Sequence, residues 1–212
     1  VRKSAQLNLK LSQFLTQEFY QRNTIEVAQD LLGKILIVHL DPAKWVAGRI
    51  VETEAYRGDD PASHSARGET PRSSIMFGIP GLAYVYFIYG MYEMLNFVTE
   101  PQGFPGAVLI RAVEPIHGEE WMFQNRPCKT RSELTNGPGK LCRAMGIEMK
   151  HNGQSLQGPI FYVADDQVRP LSISRSERVG IRLGKDKLWR FFVTGNPFVS
   201  RAPQNLRSTL VF

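Results

Sequence analysis

Two β-branched runs joined by a four-residue link dominate the first quarter of the chain. Residues 34–40 are rich in Ile, Leu and Val, and in residues 45–53 Val46, Gly48, Ile50 and Glu52 alternate with Ala47, Arg49 and Val51. A period of two puts alternate side chains on opposite faces of a strand. The Asp41-Pro42-Ala43-Lys44 link is of hairpin length, so the two runs read as an antiparallel pair. Before them, Asn23 or Thr24 can cap a short helix with Val27, Ala28, Leu31 and Leu32 on one face, and Gly33 is placed to end it. Segment 57–81 carries Gly58, Pro61, Gly68, Pro71, Gly78, Pro80 and Gly81, too many breakers for a long element. Strands are expected again at 82–88 and 106–113, and helices near 118–126 and 138–145. Pro138 lies inside the start of the second helix and Gly146 beyond its end. Further strand is expected at Ile160-Phe161-Tyr162-Val163 and from Leu188 to Thr194. No boundary has the composition of a linker. The expectation is a mixed α/β (α+β) single domain over residues 1–212, with a curved, mostly antiparallel sheet flanked by helices.

At 212 residues and 42% hydrophobic content the chain can fill one substantial core. Its two cysteines, Cys128 and Cys142, form no C-x-x-C pair, so neither a disulfide framework nor a structural zinc site is indicated and an intracellular home is expected. Polar residues interrupt the segment from Val1 to Tyr20, which lacks the apolar core of a signal peptide, and the missing initiator Met suggests a trimmed or partial start. The longest apolar passage, Leu82 to Tyr92, falls well short of the ~20 residues of a membrane span and reads as a buried strand running into a turn. No membrane partner is expected. With 26 Lys+Arg against 20 Asp+Glu, the net charge of +6 points to an anionic partner, of which nucleic acid is the flat one.

Flatness matters because of the run Ala83-Tyr84-Val85-Tyr86-Phe87-Ile88-Tyr89-Gly90-Met91-Tyr92. Each tyrosine hydroxyl requires a partner if buried. Either the rings pack in a core with hydroxyls at its rim, or some of them meet a flat ligand. Upstream, Glu52 and Glu54 project from one face of an ideal strand with roughly 6.5–7 Å between their backbone positions. They are a carboxylate pair of the kind glycoside hydrolases use, or two solvated glutamates on a strand edge. Arg111 interrupts the apolar run 108–113 and, if buried, needs a carboxylate or phosphate; at an edge it would reach water. His64 has no second ligand at metal spacing. Met76 and Met91 read by type as core filler. Gly137-Pro138-Gly139-Lys140 opens a helix and lacks the full nucleotide-loop pattern, leaving it a backbone-phosphate contact or a plain helix start.

Together these segments resemble a known family. Arg49-Ile50-Val51-Glu52-Thr53-Glu54-Ala55-Tyr56, His64-Ser65, Thr70-Pro71-Arg72, Met76-Phe77, the run from Tyr84 to Tyr92, Asn96, Val108-Leu109-Ile110-Arg111-Ala112, Gly137-Pro138-Gly139-Lys140-Leu141-Cys142, Arg178-Val179-Gly180-Ile181 and Thr194-Gly195-Asn196 are similar, in order, to the alkyladenine (3-methyladenine) DNA glycosylases. The resemblance implies a single α/β domain that removes damaged purines from double-stranded DNA as a monomer, without a metal or other cofactor or a lysine nucleophile. It places the protein in the cytoplasm or nucleoid of a bacterium, or in the nucleus of a eukaryote. By the same resemblance Glu54 is the general base and Arg111 lies near the catalytic water, while Glu52 is structural. Tyr56 and Tyr86 sandwich the extruded base, His64 shares the pocket wall, and Asn96 crowds the exocyclic amino group of guanine. Tyr89 is the wedge entering the duplex, with Met91 and Tyr92 beside it, and Arg67, Thr70, Arg72 and Lys140 are candidates for backbone contacts. Phe87 and Glu93 depart from the better-known members, and Glu93 adds a negative charge beside the expected DNA face. A non-catalytic nucleic-acid-binding module and a sugar hydrolase using both glutamates are the alternative functions.

Overall fold

The structure, a computed structural model, describes residues 13–211. Nine strands form one sheet: β1 (Ile35–His39), β2 (Trp45–Arg57), β3 (Ala83–Ile88), β4 (Tyr92–Thr99), β5 (Gly106–His117), β6 (Phe161–Ala164), β7 (Ile173–Ser176), β8 (Arg190–Val193) and β9 (Thr209–Leu210). The main path runs β3-β4-β5-β2-β8-β7-β9, with β1 and β6 adding a branch through β2, and every pairing is antiparallel. Among the described residues four short α-helices accompany it, α1 (Gln17–Tyr20), α2 (Thr24–Asp30), α3 (Glu119–Asn125) and α4 (Pro138–Ala144). The described residues thus form the single mixed α/β unit expected, and residues 1–12 and 212 of the expected domain lie outside them.

Local chemistry sets the boundaries. Asn23 caps α2 by accepting a hydrogen bond from the Ile25 amide at 2.9 Å, and Gly33 takes a φ of +89° that a side chain would strain. Asp41 closes the β1–β2 hairpin, its carboxylate accepting the amides of Ala43 and Lys44, each at 2.8 Å. Pro138 opens α4, where a missing N–H costs nothing. α2 packs on β2 and β5, and α4 on β4 and β5. Between these helices and the sheet lies the main core, including Val27, Leu31, Ile50, Leu95, Phe97, Ile110 and Leu141, all fully buried.

β4 was not expected. Residues 92–99 pair with β3 through Ile88↔Tyr92 and with β5 through Asn96↔Leu109. One side of β4 (Leu95, Phe97) enters the core and the other (Met94, Asn96) faces a cavity, so the polar–apolar contrast that marks a half-exposed strand is missing. β2 and β5 also run to Arg57 and His117, past the expected ends, with register shifts around residues 47–48 and 50–53. Such bulges bend a strand and re-aim its side chains.

Candidate active site

Sheet register assembles the site. Tyr84 lies opposite Asn96, Asn96 opposite Leu109, and Leu109 opposite Glu54, so one row across β3, β4, β5 and β2 carries all four on the face away from α2 and α4. On that face is a cavity of about 340 Å³, within the range of small-ligand sites. Its walls include Glu54, Tyr56, His64, Met76, Tyr84, Tyr86, Tyr89, Asn96 and Arg111.

Glu54 is buried in the central strand, and three donors converge on its carboxylate. The Tyr56 hydroxyl donates to Oε2 at 2.8 Å, Arg111 Nη1 lies 3.2 Å from the same oxygen, and the Val179 amide donates to Oε1 at 2.6 Å. Burial, reinforced by Glu54, pushes the Tyr56 phenol well above its ordinary pKa, which keeps it a proton donor to the carboxylate. Arg111 also donates from Nε to Glu52 Oε1 at 2.8 Å. Burial alone would lower the Arg111 pKa, but Glu54 and Glu52 outweigh it and raise it. The partner of Arg111 is therefore a pair of carboxylates, and neither glutamate is a solvated strand-edge residue.

Glu52 is occupied differently. Arg190 Nε donates to Oε1 at 2.8 Å, the Ser200 hydroxyl to Oε1 at 2.7 Å and the Ser200 amide to Oε2 at 2.7 Å. Burial alone would raise its pKa, but Arg111 and Arg190 hold it below the ordinary carboxylate value. Glu52 does not line the cavity.

The aromatic wall is built from β3 and the breaker-rich loop. The His64 ring meets Tyr86 edge-on with centroids 4.7 Å apart, and its Nδ1 is 3.0 Å from the Tyr84 hydroxyl. Its partly buried setting, then the neighbouring Arg72 guanidinium, lower the His64 pKa to about 4. Asn96 Nδ2 donates to the Tyr84 carbonyl at 3.1 Å.

At the cavity rim stands the β3–β4 turn. Tyr89 and Gly90 both have positive φ, +54° and +66°, and Tyr89 is 79% exposed although it is a large aromatic. A non-glycine residue held in that region with its ring in solvent is costly on both counts. Met91 is also exposed. Tyr92, also exposed, packs one part of its ring against Gly139 of α4, so closely that a Cβ added there would fall 2.7 Å from it. Glu93 shares the side of β4 that carries Leu95, opposite the cavity, and sits near Cys142 and Arg143.

The backbone candidates separate. Arg67 is exposed at the loop surface. Thr70 is engaged in a local turn, its amide donating to Ser73 Oγ at 2.9 Å. Arg72 stacks its guanidinium 4.7 Å over the Tyr86 ring. Lys140 donates to Asn136 Oδ1 at 2.7 Å. Unforeseen in any role was Arg178, buried between Tyr56 and Trp189 at 4.7 and 5.3 Å and paired with Asp60. It also donates to the Ala55 carbonyl at 2.9 Å, which ties the 177–184 loop to β2 and sets the Val179 amide on Glu54. A lone arginine in a loop gives no such signal in sequence.

Comparisons with known proteins point to one family. Residues 18–197 match the family described as methylpurine-DNA glycosylase. A protein of Methanocella arvoryzae is 50% identical over 198 residues, covering 91% of this chain and 98% of its own length. One of Desulfitobacterium hafniense is 47% identical, covering 88% and 98%, and one of Chlorobaculum tepidum is 46% identical, covering 88% and 90%. Each is named, by assignment, a 3-methyladenine DNA glycosylase. The chain belongs to the methylpurine-DNA glycosylase family.

Proposed function

We propose that the protein is a monofunctional purine DNA N-glycosylase, which turns a damaged purine out of double-stranded DNA and hydrolyses its glycosidic bond with a water activated by Glu54. The observation that carries this reading is a buried carboxylate, oriented by three donors, on the wall of a base-sized cavity lined with aromatic rings. A base within a duplex shields its glycosidic bond, and damaged or poorly paired bases cost least to extrude. Tyr56 and Tyr86 supply rings to hold the extruded base, with His64 alongside and Asn96 narrowing the space left for an exocyclic amino group. Tyr89, with Met91 beside it, fills the gap left in the duplex, which gives the strained and exposed turn a task.

In the chemical step the water oxygen bonds to C1′ of the sugar, the bond to the purine nitrogen breaks with its electron pair leaving on the base, and Glu54 accepts the water proton. The same negative charge stabilises an oxocarbenium-like sugar in the transition state. Arg111, anchored by Glu52, holds the Glu54 carboxylate in place from 3.2 Å away. Among the described residues no lysine lines the cavity, which favours water over an amine as nucleophile. The reaction needs no metal or other cofactor. One chain supplies every named group, so the protein acts as a monomer wherever the cell keeps its DNA. Among the described residues no helix is long and apolar enough to cross a membrane.

Duplexes carrying one defined lesion each, scored for free base and abasic sites, test the proposal. The wild-type chain is expected to release the base and Glu54→Gln to bind the damaged duplex without release. Turnover retained by Glu54→Gln would contradict the mechanism, and no release by the wild-type chain from any damaged purine would contradict the activity.

A further inference from the structure

The two rings assigned to the base each carry a guanidinium. Arg178 lies 4.7 Å from the centre of Tyr56, fully buried and neutralised by Asp60. Arg72 lies 4.7 Å from the centre of Tyr86. Arg111 faces Glu52 and Glu54, and Arg190 faces Glu52. Arg72 forms no ion pair with a carboxylate among the described residues, so it is the uncompensated guanidinium at the aromatic wall.

An aromatic face attracts a cation through its quadrupole. A guanidinium already on one face takes up part of that attraction and repels a second positive charge directly. A base stacked on the free face of Tyr86, at a van der Waals distance of about 3.5 Å, puts its ring roughly 8 Å from the Arg72 guanidinium, close enough for a unit charge to feel another in a partly desolvated cleft. Purines divide by charge at this point. Alkylation at a ring nitrogen makes the base a cation, whereas deamination or closure of an extra ring leaves it neutral.

Resting on the glycosylase reading, we propose that Arg72 is a specificity-determining residue, biasing the pocket against cationic N-alkylated purines and toward neutral damaged ones. It does so through its charge on the Tyr86 ring. The depressed pKa of His64, to which Arg72 contributes after burial, shows the same field reaching the cavity wall.

Single-turnover release at sub-saturating enzyme, where the rate reports binding and cleavage together, from duplexes carrying 7-methylguanine (cationic) or hypoxanthine (neutral), at low ionic strength, tests this in wild type, Arg72→Lys, Arg72→Met and Arg72→Glu. Arg72 is exposed, so the substitutions leave the core untouched. The ratio of 7-methylguanine to hypoxanthine rates is expected to rise about fivefold in Arg72→Met and further in Arg72→Glu, with Arg72→Lys near wild type. A ratio unchanged across the series, with both rates falling together, would overturn the proposal and make Arg72 a plain backbone contact. Failure of the wild-type chain to release either base would instead overturn the glycosylase reading on which it rests.

Discussion

Glu52 and Glu54 stand two residues apart on one strand, share Arg111 and are both fully buried, yet they are fitted for different work. Around Glu52 the donors Arg111, Arg190 and both polar groups of Ser200 close a sealed network. Around Glu54 the donors approach from the sides, from Tyr56, Arg111 and Val179, and the carboxylate still borders the cavity. Chemical availability is thus set by what lies in front of a carboxylate as much as by how deeply it is buried. The sealed glutamate holds the arginine, and the arginine orients the open one.

The largest expected effect that separates the two is on rate. Glu54→Gln should lower single-turnover base release roughly 10²–10⁴-fold, as loss of a general base does, with little change in unfolding midpoint. Comparable loss in a well-folded Glu52→Gln would erase the distinction. On stability the order reverses. Glu52→Ala leaves Arg190 buried without its carboxylate, and denaturant unfolding should show a loss of about 3–5 kcal/mol. An unchanged midpoint would mean that the network is relaxed by water.

The exposed turn sharpens the comparison from the rim of the cavity. Tyr89→Ala should weaken binding to a lesion-bearing duplex by about 5- to 150-fold, the value of one stacked ring, without altering stability. Equal affinity would remove Tyr89 from the interface.

The smallest effect is in acid. The folded-state pKa of Glu52 lies below its ordinary 4.5, so its contribution to stability is complete above that value and disappears as pH falls through the folded value. Unfolding titrated downward from pH 5 should therefore lose stability more steeply in the wild-type chain than in Glu52→Gln, by up to about 1.4 kcal/mol per pH unit. Parallel curves would refute this assignment.

Much of this arrangement is legible in the chain. Asn23, Gly33, Pro138 and the Asp41 link mark their boundaries by chemistry that acts within a few residues. The spacing of Glu52 and Glu54 and the charge inside strand 108–113 also show in sequence, as does the requirement that Arg111 find an anion. What stays hidden depends on partners far away. Val179 reaches Glu54 across 125 positions and Ser200 reaches Glu52 across 148. Their separations carry no period or spacing, so the sealed and open environments cannot be told apart before the sheet is assembled. β4 is obscured by having both faces covered, and Tyr92 by packing on a glycine of a different element. Arg72, read as one more basic loop residue, acquires a distinct meaning only from its place over Tyr86.

The most direct test of the central claim separates extrusion from bond cleavage in one experiment. An etheno-adenine duplex, whose fluorescence reports unstacking, is mixed rapidly with Glu54→Gln and followed in parallel for free base. The fluorescence change on binding should match that of the wild-type chain while no base is released. Base release at the wild-type rate, or a wild-type chain that binds without any fluorescence change, would contradict the account.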